Sequence, residues 1–368
     1  MRKICLFVFL GCYSMAACHS APRSKEEKVL YADSVRVVKS GLTYPWEILW
    51  GKDGFIWMTE RGGKISKIDP KTGATLCFLA LPDVVSRNEG GMLGMVQHPG
   101  FAGNGLFYVV YNYKSGPDYL EKLVQFRYEN NVIKPVRTLI ENIPATTNHN
   151  GSRLLISSDA DPKLFMTTGD ALIQANAQNL SSLSGKVLRF NLDGTIPADN
   201  PFPNSPVWSY GHRNQQGLVM VNGMLYASEH GPTIEDEINI IEKGRNYGWP
   251  VVNGPCDQAA ERVFCRTNNV REPIWSSGGS TIAVCGLDYY NHNRIPEWKN
   301  CLLMVMLKDA SLKALKISPD GRSVVSEQTY FKPRFGRLRD ICISPDGKVY
   351  LCTSNGSGGD MLLEVVKL

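Results

Sequence analysis

One short scheme returns along this chain: a Gly-bearing turn, then an apolar strand with an aromatic near its middle and Thr or Ser at its end. It reads Asp53-Gly54-Phe55-Ile56-Trp57-Met58-Thr59, then Asn222-Gly223-Met224-Leu225-Tyr226-Ala227-Ser228, then Asp346-Gly347-Lys348-Val349-Tyr350-Leu351-Cys352-Thr353. Glycine tolerates positive φ, so Asp-Gly and Asn-Gly between strands favour tight hairpin turns. β-rich runs recur beside turns at Phe55–Thr59, Gly105–Tyr113, Lys163–Thr167, Met224–Ser228, Cys301–Met306 and Lys348–Thr353. Little of the chain has helical periodicity. Copies at irregular spacing, the first and last near the two termini, predict an all-β ring, a β-propeller of about six blades with long insertions. A sandwich would not easily use so many hairpins. No linker-like break in composition follows Lys28, so one domain is expected over 31–368.

The N-terminus reads as an export signal. Arg2 and Lys3 precede an apolar run from Ile4 to Met15 that is too short to span a membrane. Met15-Ala16-Ala17-Cys18 has the small-small-Cys form of a bacterial lipoprotein cleavage site. The expectation is a signal peptide over 1–17, a lipid on Cys18, and a polar tether over 18–30. The mature protein would then be a periplasmic or cell-envelope lipoprotein, touching membrane only through its anchor. Ordinary cleavage nearby is the alternative. Without Arg2 and Lys3 the 40 basic residues become 38 against 35 acidic, a mature charge of +3. That balance, with no Lys/Arg run, gives no case for nucleic acid.

Three of the ten cysteines (Cys5, Cys12 and Cys18) fall in or at the end of the signal. Export permits disulfides, and Cys256 with Cys265, flanking a short loop, is the first expected pair. No CxxC zinc spacing and no CxxCH haem motif occurs.

Four polar stretches carry candidate chemistry. His149, in Asn148-His149-Asn150-Gly151, sits on a polar loop where an imidazole is suited to general-base work; a His that only braces its loop leaves the same trace. Arg213-Asn214, within Gly211–Gly217, offers a rigid guanidinium fork for a carboxylate or phosphate, with an amide donor and acceptor beside it. Gly231-Pro232, followed by Glu235, Asp236 and Glu237, can turn consecutive carbonyls and carboxylates toward Ca²⁺, a cation that takes six to eight oxygens; a solvated acidic loop is the alternative, and the EF-hand spacing is absent. Lys308 follows an apolar strand. Arg337-Leu338-Arg339 places two guanidiniums on one face of an extended segment, where they repel unless an anion lies between them. Four cations from separate loops would surround a polyanionic ligand. No Walker loop or dinucleotide fingerprint follows a strand.

Further matches run from about Gly41 onward. They include Pro45-Trp46 with Thr59-Glu60-Arg61, Glu89-Gly90-Gly91-Met92-Leu93-Gly94 with His98-Pro99, and Ser184-Gly185-Lys186-Val187-Leu188-Arg189. Asn191-Leu192-Asp193-Gly194-Thr195-Ile196-Pro197, Asp199-Asn200-Pro201, Asn246-Tyr247-Gly248-Trp249-Pro250 and Ser344-Pro345-Asp346-Gly347 continue the series. In this order they resemble the soluble pyrroloquinoline-quinone (PQQ) dependent sugar dehydrogenases, the glucose/sorbosone dehydrogenase family. The resemblance implies a six-bladed β-propeller with its site in loops over the central channel. It implies that Glu89, Arg213, Asn214, Lys308, Arg337 and Arg339 hold PQQ, whose three carboxylates account for the cations. It gives His149 the general base, and the carbonyls of Gly231 and Pro232 the active-site Ca²⁺. Glu237 and Tyr247 match positions associated with further calcium binding. The implied reaction is oxidation of an aldose to a lactone, with a separate quinone or cytochrome as electron acceptor. Asn148 stands where glucose-oxidising members carry an acid, so a broader aldose specificity is expected. A non-catalytic glycan- or protein-binding propeller and a calcium-dependent lactonase are the rival readings.

Overall fold

A computed structural model describes residues 31, 32 and 35–368. The export signal, Cys18 and the tether to Leu30 lie outside the described residues. Six antiparallel sheets follow one another around a ring. Blades I to V span 45–80, 92–144, 151–210, 215–276 and 284–330, four strands each. Blade VI is built from both ends of the chain: Leu338–Ile343, Val349–Thr353 and Asp360–Val365 are joined on their outer side by Val35–Leu42. Ring closure by the two termini is thus realised through backbone hydrogen bonds, Val35 pairing with Val365 and Leu42 with Asp360.

Each of the six β-rich runs forms the second strand of a blade: Ile56–Glu60, Leu106–Ser115, Lys163–Thr168, Met224–Glu229, Cys301–Met306 and Val349–Thr353. The physical reason is burial on both faces. A blade is covered by its neighbours on either side, so its inner strands read as continuous apolar runs rather than alternating ones. Every residue of Ile56–Glu60 and of Cys301–Met306 is buried. Between blades II and III, Tyr108, Val110 and Leu123 pack against Leu164, Met166 and Leu188. Outer strands meet water: Val132–Pro144 and Val324–Tyr330 are mostly exposed.

The chief departure from the β pattern is a helix, Ala259–Asn268, in the insertion between the last two strands of blade IV. Gln258 and Glu261 close a capping box at its start, and Cys256 is bonded to Cys265 as expected. Cys77, Cys285, Cys301, Cys342 and Cys352 are free and buried, behaving as small apolar side chains. Among the described residues no helix is long and apolar enough to cross a membrane.

Strand direction fixes where a site can form. The innermost strand of each blade begins at one mouth of the channel, and the second strand returns to it. Residues just before a first strand or just after a second strand therefore share that mouth. Glu89, His149, Arg213-Asn214 and Arg337 precede or open first strands; Gly231-Pro232 and Lys308 follow second strands.

Candidate active site

His149 sits in left-handed backbone, φ 57°, at the entry to the first strand of blade III. Its Nδ1 lies 2.8 Å from Oδ1 of Asp170, a fully buried carboxylate at the end of the second strand of the same blade. Asp170 also accepts the Trp249 indole N–H at 2.9 Å and the Leu172 backbone N–H at 2.9 Å. With those donors in place, the imidazole hydrogen belongs on Nδ1, which leaves Nε2 as the ring nitrogen able to accept. Ala171 and Leu172, next to Asp170, are also left-handed, so backbone of rarely adopted conformation gathers here. Gly169 permits the close fit, because a Cβ on it would meet the His149 carbonyl oxygen at 1.9 Å. Asp170 did not stand out in the sequence, and Trp249 did so only as part of the Asn246–Pro250 stretch, with no role of its own. The available signal was positional: Asp170 follows a second strand, just as Gly231 does.

Asn148 accepts a hydrogen bond from the Asn88 amide and makes none to the imidazole. The negative group beside His149 comes from Asp170, so an acid at position 148 is not needed to fix the tautomer.

The cations converge in part. Arg339 is 2 % exposed and reaches the Gln216 side chain with one nitrogen, while its Nε has no partner. Arg213 donates to the His230 carbonyl at 3.3 Å and lies 5.3 Å from the Trp249 ring centre, its Nε also unpartnered. Arg337 is exposed at the mouth, tied to the Ser354 carbonyl at 3.2 Å. Arg61 joins them, a residue the sequence reading had not placed in the site. It stacks 4.0 Å from the Tyr44 ring centre, and its Nε is buried without a partner. Burial, and behind it the neighbouring Arg339 and Arg337, draw Arg61 down to about 10. Burial likewise lowers Arg339 and Arg213. Like charges held together with idle donors are a cradle for a polyanion.

Lys308 is exposed on the same mouth. Its amine donates to the Thr281 hydroxyl at 3.2 Å and its backbone N–H to the Ile282 carbonyl at 3.1 Å. Glu89 accepts the His149 backbone N–H at 3.3 Å. Asn214 spends its side-chain oxygen on the Gly151 N–H at 3.1 Å, bracing the His149 loop.

Gly231 and Pro232 line a cavity of ≈ 20 Å³, room for one water or ion. Asp236 holds the turn by accepting Gly231 N–H at 2.9 Å, with Ile282 and Ala283 N–H at 2.6 and 2.7 Å on its other oxygen. The carbonyls of Gly231 and Pro232 accept no hydrogen bond from the described residues. Glu237 lines the same cavity, pushed up to about 8 by burial and then by Glu229. Tyr247 lines it as well. Its hydroxyl donates to the Ile240 carbonyl and accepts Glu242 N–H at 2.8 Å, so its phenol is not a ligand atom and only its backbone carbonyl is offered. Among the described residues no three His, Cys, Asp or Glu side chains form a metal shell by themselves; carbonyls would have to complete one.

Between blades II and III, near the His149 loop, Glu121 is enclosed, and the Ser152 hydroxyl donates to it at 2.6 Å. Burial pushes Glu121 up to about 8 from 4.5. A carboxyl raised on folding favours the folded state below its unfolded pKa, and that contribution is lost as pH climbs from about 4.5 toward 8. Glu121→Gln keeps an acceptor for Ser152 and cannot ionise. It is expected to raise the melting temperature by about 2–4 °C at pH 8.5 and to change it little at pH 5, in a thermal unfolding series across pH.

The chain is similar over most of its length to known proteins. The family model described as Glucose / Sorbosone dehydrogenase matches residues 42–363. An aldose sugar dehydrogenase of Escherichia coli is 31 % identical over 352 residues, covering 88 % of this chain and 91 % of that protein. Quinoprotein glucose dehydrogenase B of Acinetobacter calcoaceticus is 29 % identical over 411 residues, covering 88 % and 85 %. The PQQ-bound structure of an aldose sugar dehydrogenase from Streptomyces coelicolor superposes with a TM-score of 0.75 at 29 % identity, covering 90 % of this chain and 97 % of that one.

Proposed function

Because the chain belongs to the glucose/sorbosone dehydrogenase family, we propose that it oxidises an aldose at the anomeric hydroxyl to the lactone, using PQQ and Ca²⁺. The coarser activity, that of a PQQ-dependent sugar dehydrogenase, is the family's. One observation carries the finer reading: guanidiniums with idle donors gather beside a histidine whose tautomer is fixed by a buried carboxylate.

The residues present fit the groups the reaction needs. Arg61, Arg213, Arg337 and Arg339, with Lys308 at the rim, would hold a tricarboxylate, and Glu89 and Asn214 would border it. The unpartnered carbonyls of Gly231 and Pro232 suit a hard cation. When bound, PQQ would supply hydride acceptance, and Ca²⁺ would supply Lewis acidity. The rest falls to the protein. His149 Nε2 takes the proton of the anomeric hydroxyl. Asp170 keeps the imidazole aimed and in the tautomer that can accept. Trp249 holds Asp170 from the other side and places an aromatic face against Arg213. Asn148 leaves no acid at that position, which fits a broad aldose range.

Adding PQQ and Ca²⁺ to purified apoprotein, with an aldose panel and a dye acceptor, tests the proposal. Dye reduction that strictly requires PQQ supports it; lactone cleavage without PQQ would make the protein a lactonase. Arg337→Ala is expected to weaken PQQ binding by about 1.5–3 kcal/mol, the worth of a hydrogen bond to a charged group, and titration at wild-type affinity would count against the cradle. The electron acceptor is read as a separate quinone or cytochrome. Cys18 is read as lipid-modified, which holds the enzyme at the cell envelope. Mass spectrometry of the mature N-terminus tests that reading, an unmodified Cys18 overturning it.

A further inference from the structure

A trough of ≈ 410 Å³ opens between the outer strand of blade IV and the upper half of blade V. Its inner wall is Ile282 and Asp309, the neighbours in sequence of Thr281 and Lys308. It therefore lies beside Lys308 and Thr281, at the rim of the proposed cofactor site. Trp275 packs partly against the core between the two blades and also lines the trough. Its indole N–H donates to Glu327 at 2.5 Å, which fixes the ring.

The polar groups around that ring are already matched in charge. Lys313 donates to the other oxygen of Glu327 at 2.7 Å and to the Thr329 hydroxyl at 3.2 Å. Lys332 pairs with Asp309, which also accepts the Ser311 hydroxyl at 2.6 Å. Two ammoniums and two carboxylates leave no net charge to attract an ion. They do leave fixed donors and acceptors side by side around an aromatic surface. A neutral polyol matches that pattern: its hydroxyls both donate and accept, and its C–H face covers an aromatic ring. Ser276 and Ser277 also line the trough, their hydroxyls engaged by Glu235 and by the Ser280 carbonyl, and beyond them Gly278 and Gly279 leave the rim open, since a Cβ on either would meet nothing within 4 Å.

We propose that this trough is a subsite for the further sugar units of an oligosaccharide whose reducing-end aldose is presented to His149. The inference rests on the function proposed above and names its substrate class: short neutral oligosaccharides rather than free monosaccharides.

Calorimetric titration of the apoprotein with glucose, maltose, maltotriose and cellotriose tests it without turnover. At least one trisaccharide is expected to bind about ten-fold or more tighter than glucose. Trp275→Ala removes that advantage, and Thr329→Val, a smaller change at an outer strand, reduces it. In the PQQ-loaded enzyme the same variants lower kcat/KM for the trisaccharide and leave that for glucose unchanged. Affinity independent of chain length in the wild type, or an advantage that survives both variants, overturns the subsite. The two readings fail separately. A protein that oxidises glucose with PQQ but shows no chain-length effect keeps its activity and loses the trough. One that binds trisaccharides through Trp275 but oxidises nothing keeps the trough as a glycan site and loses the reaction.

Discussion

Replacing His149 with alanine removes PQQ-dependent aldose oxidation, a loss on the order of 10²–10⁴ in kcat, the usual worth of a positioned general base, and leaves PQQ affinity in place. The expectation follows from how the imidazole is held. Its Nδ1 faces Asp170 at 2.8 Å, and the backbone on either side is pinned by Glu89 and by Asn214 through Gly151. None of those contacts involves the arginines that would grip the cofactor. Asp170→Asn tests the same unit from behind. Leu172 N–H donates to Oδ1, the oxygen that also faces Nδ1, and the Trp249 indole N–H donates to Oδ2, so the single oxygen of an amide cannot serve both; with that oxygen turned to Trp249, the NH₂ faces Nδ1. The imidazole then adopts the other tautomer, with hydrogen on Nε2, and cannot accept a proton from substrate. A fall of about 10³–10⁴ in kcat is expected there, the cost of the wrong tautomer in carboxylate–histidine pairs. Dye reduction gives the rate, and quenching of protein fluorescence by PQQ gives the affinity. Unchanged turnover in His149→Ala would refute its role as the base.

Much of this arrangement was legible before any coordinates, and the reason is burial. Second strands of blades are covered on both faces, so Cys301–Met306 stands out as an unbroken apolar run and Lys163–Thr168 carries Leu164-Phe165-Met166 at its centre. The residues flanking them inherit a shared mouth from strand direction alone. Arg61 and Asp170 were missed for one cause. Each sits at the end of a second strand, Arg61 closing the Thr59-Glu60-Arg61 stretch, and its meaning comes from residues in other blades or loops: Arg339 and Arg337 for Arg61, Trp249 for Asp170. Tyr247 matches a family position that does not say which of its atoms is offered; Ile240 and Glu242 engage the phenol, which leaves the backbone carbonyl. The helix at Ala259–Asn268 is short and buries only Glu261, so its apolar residues do not mark a core-facing stripe.

Arg153→Met is expected to cost about 3–5 kcal/mol of stability at neutral pH, because it strands buried carboxylates. Arg153 leaves the inner strand of blade III and crosses the channel. It lies 2.7 Å from Glu47 of blade I and 3.0 Å from Asp340 of blade VI, and its Nε donates to the Gln216 carbonyl of blade IV at 2.9 Å. One side chain thus ties four blades together, over the ring of Trp46 at 4.3 Å. Burial lifts both Glu47 and Asp340 above the ordinary carboxylate range, with Arg153 opposing the rise. Without the arginine those pKa values climb further. Carboxyls raised on folding favour the folded state at low pH and oppose it as pH rises. The deficit is therefore largest at neutral and alkaline pH and shrinks toward pH 4.5. Urea unfolding at pH 7.5 and pH 5 measures it, and a wild-type midpoint at pH 7.5 would sink the idea. Neutralising all three at once, Glu47→Gln with Arg153→Met and Asp340→Asn, should recover much of the loss, since no buried charge is then left alone. The functional consequence is what distinguishes this network from simple packing. Arg339 bonds the Gln216 side chain and lies 5.8 Å from the Trp46 ring centre, on the same residues that seat Arg153. A channel that relaxes around the shorter, uncharged side chain lets Arg339 shift. PQQ affinity should then fall in Arg153→Met although Arg153 itself is already engaged by two carboxylates and is not among the residues offered to the cofactor.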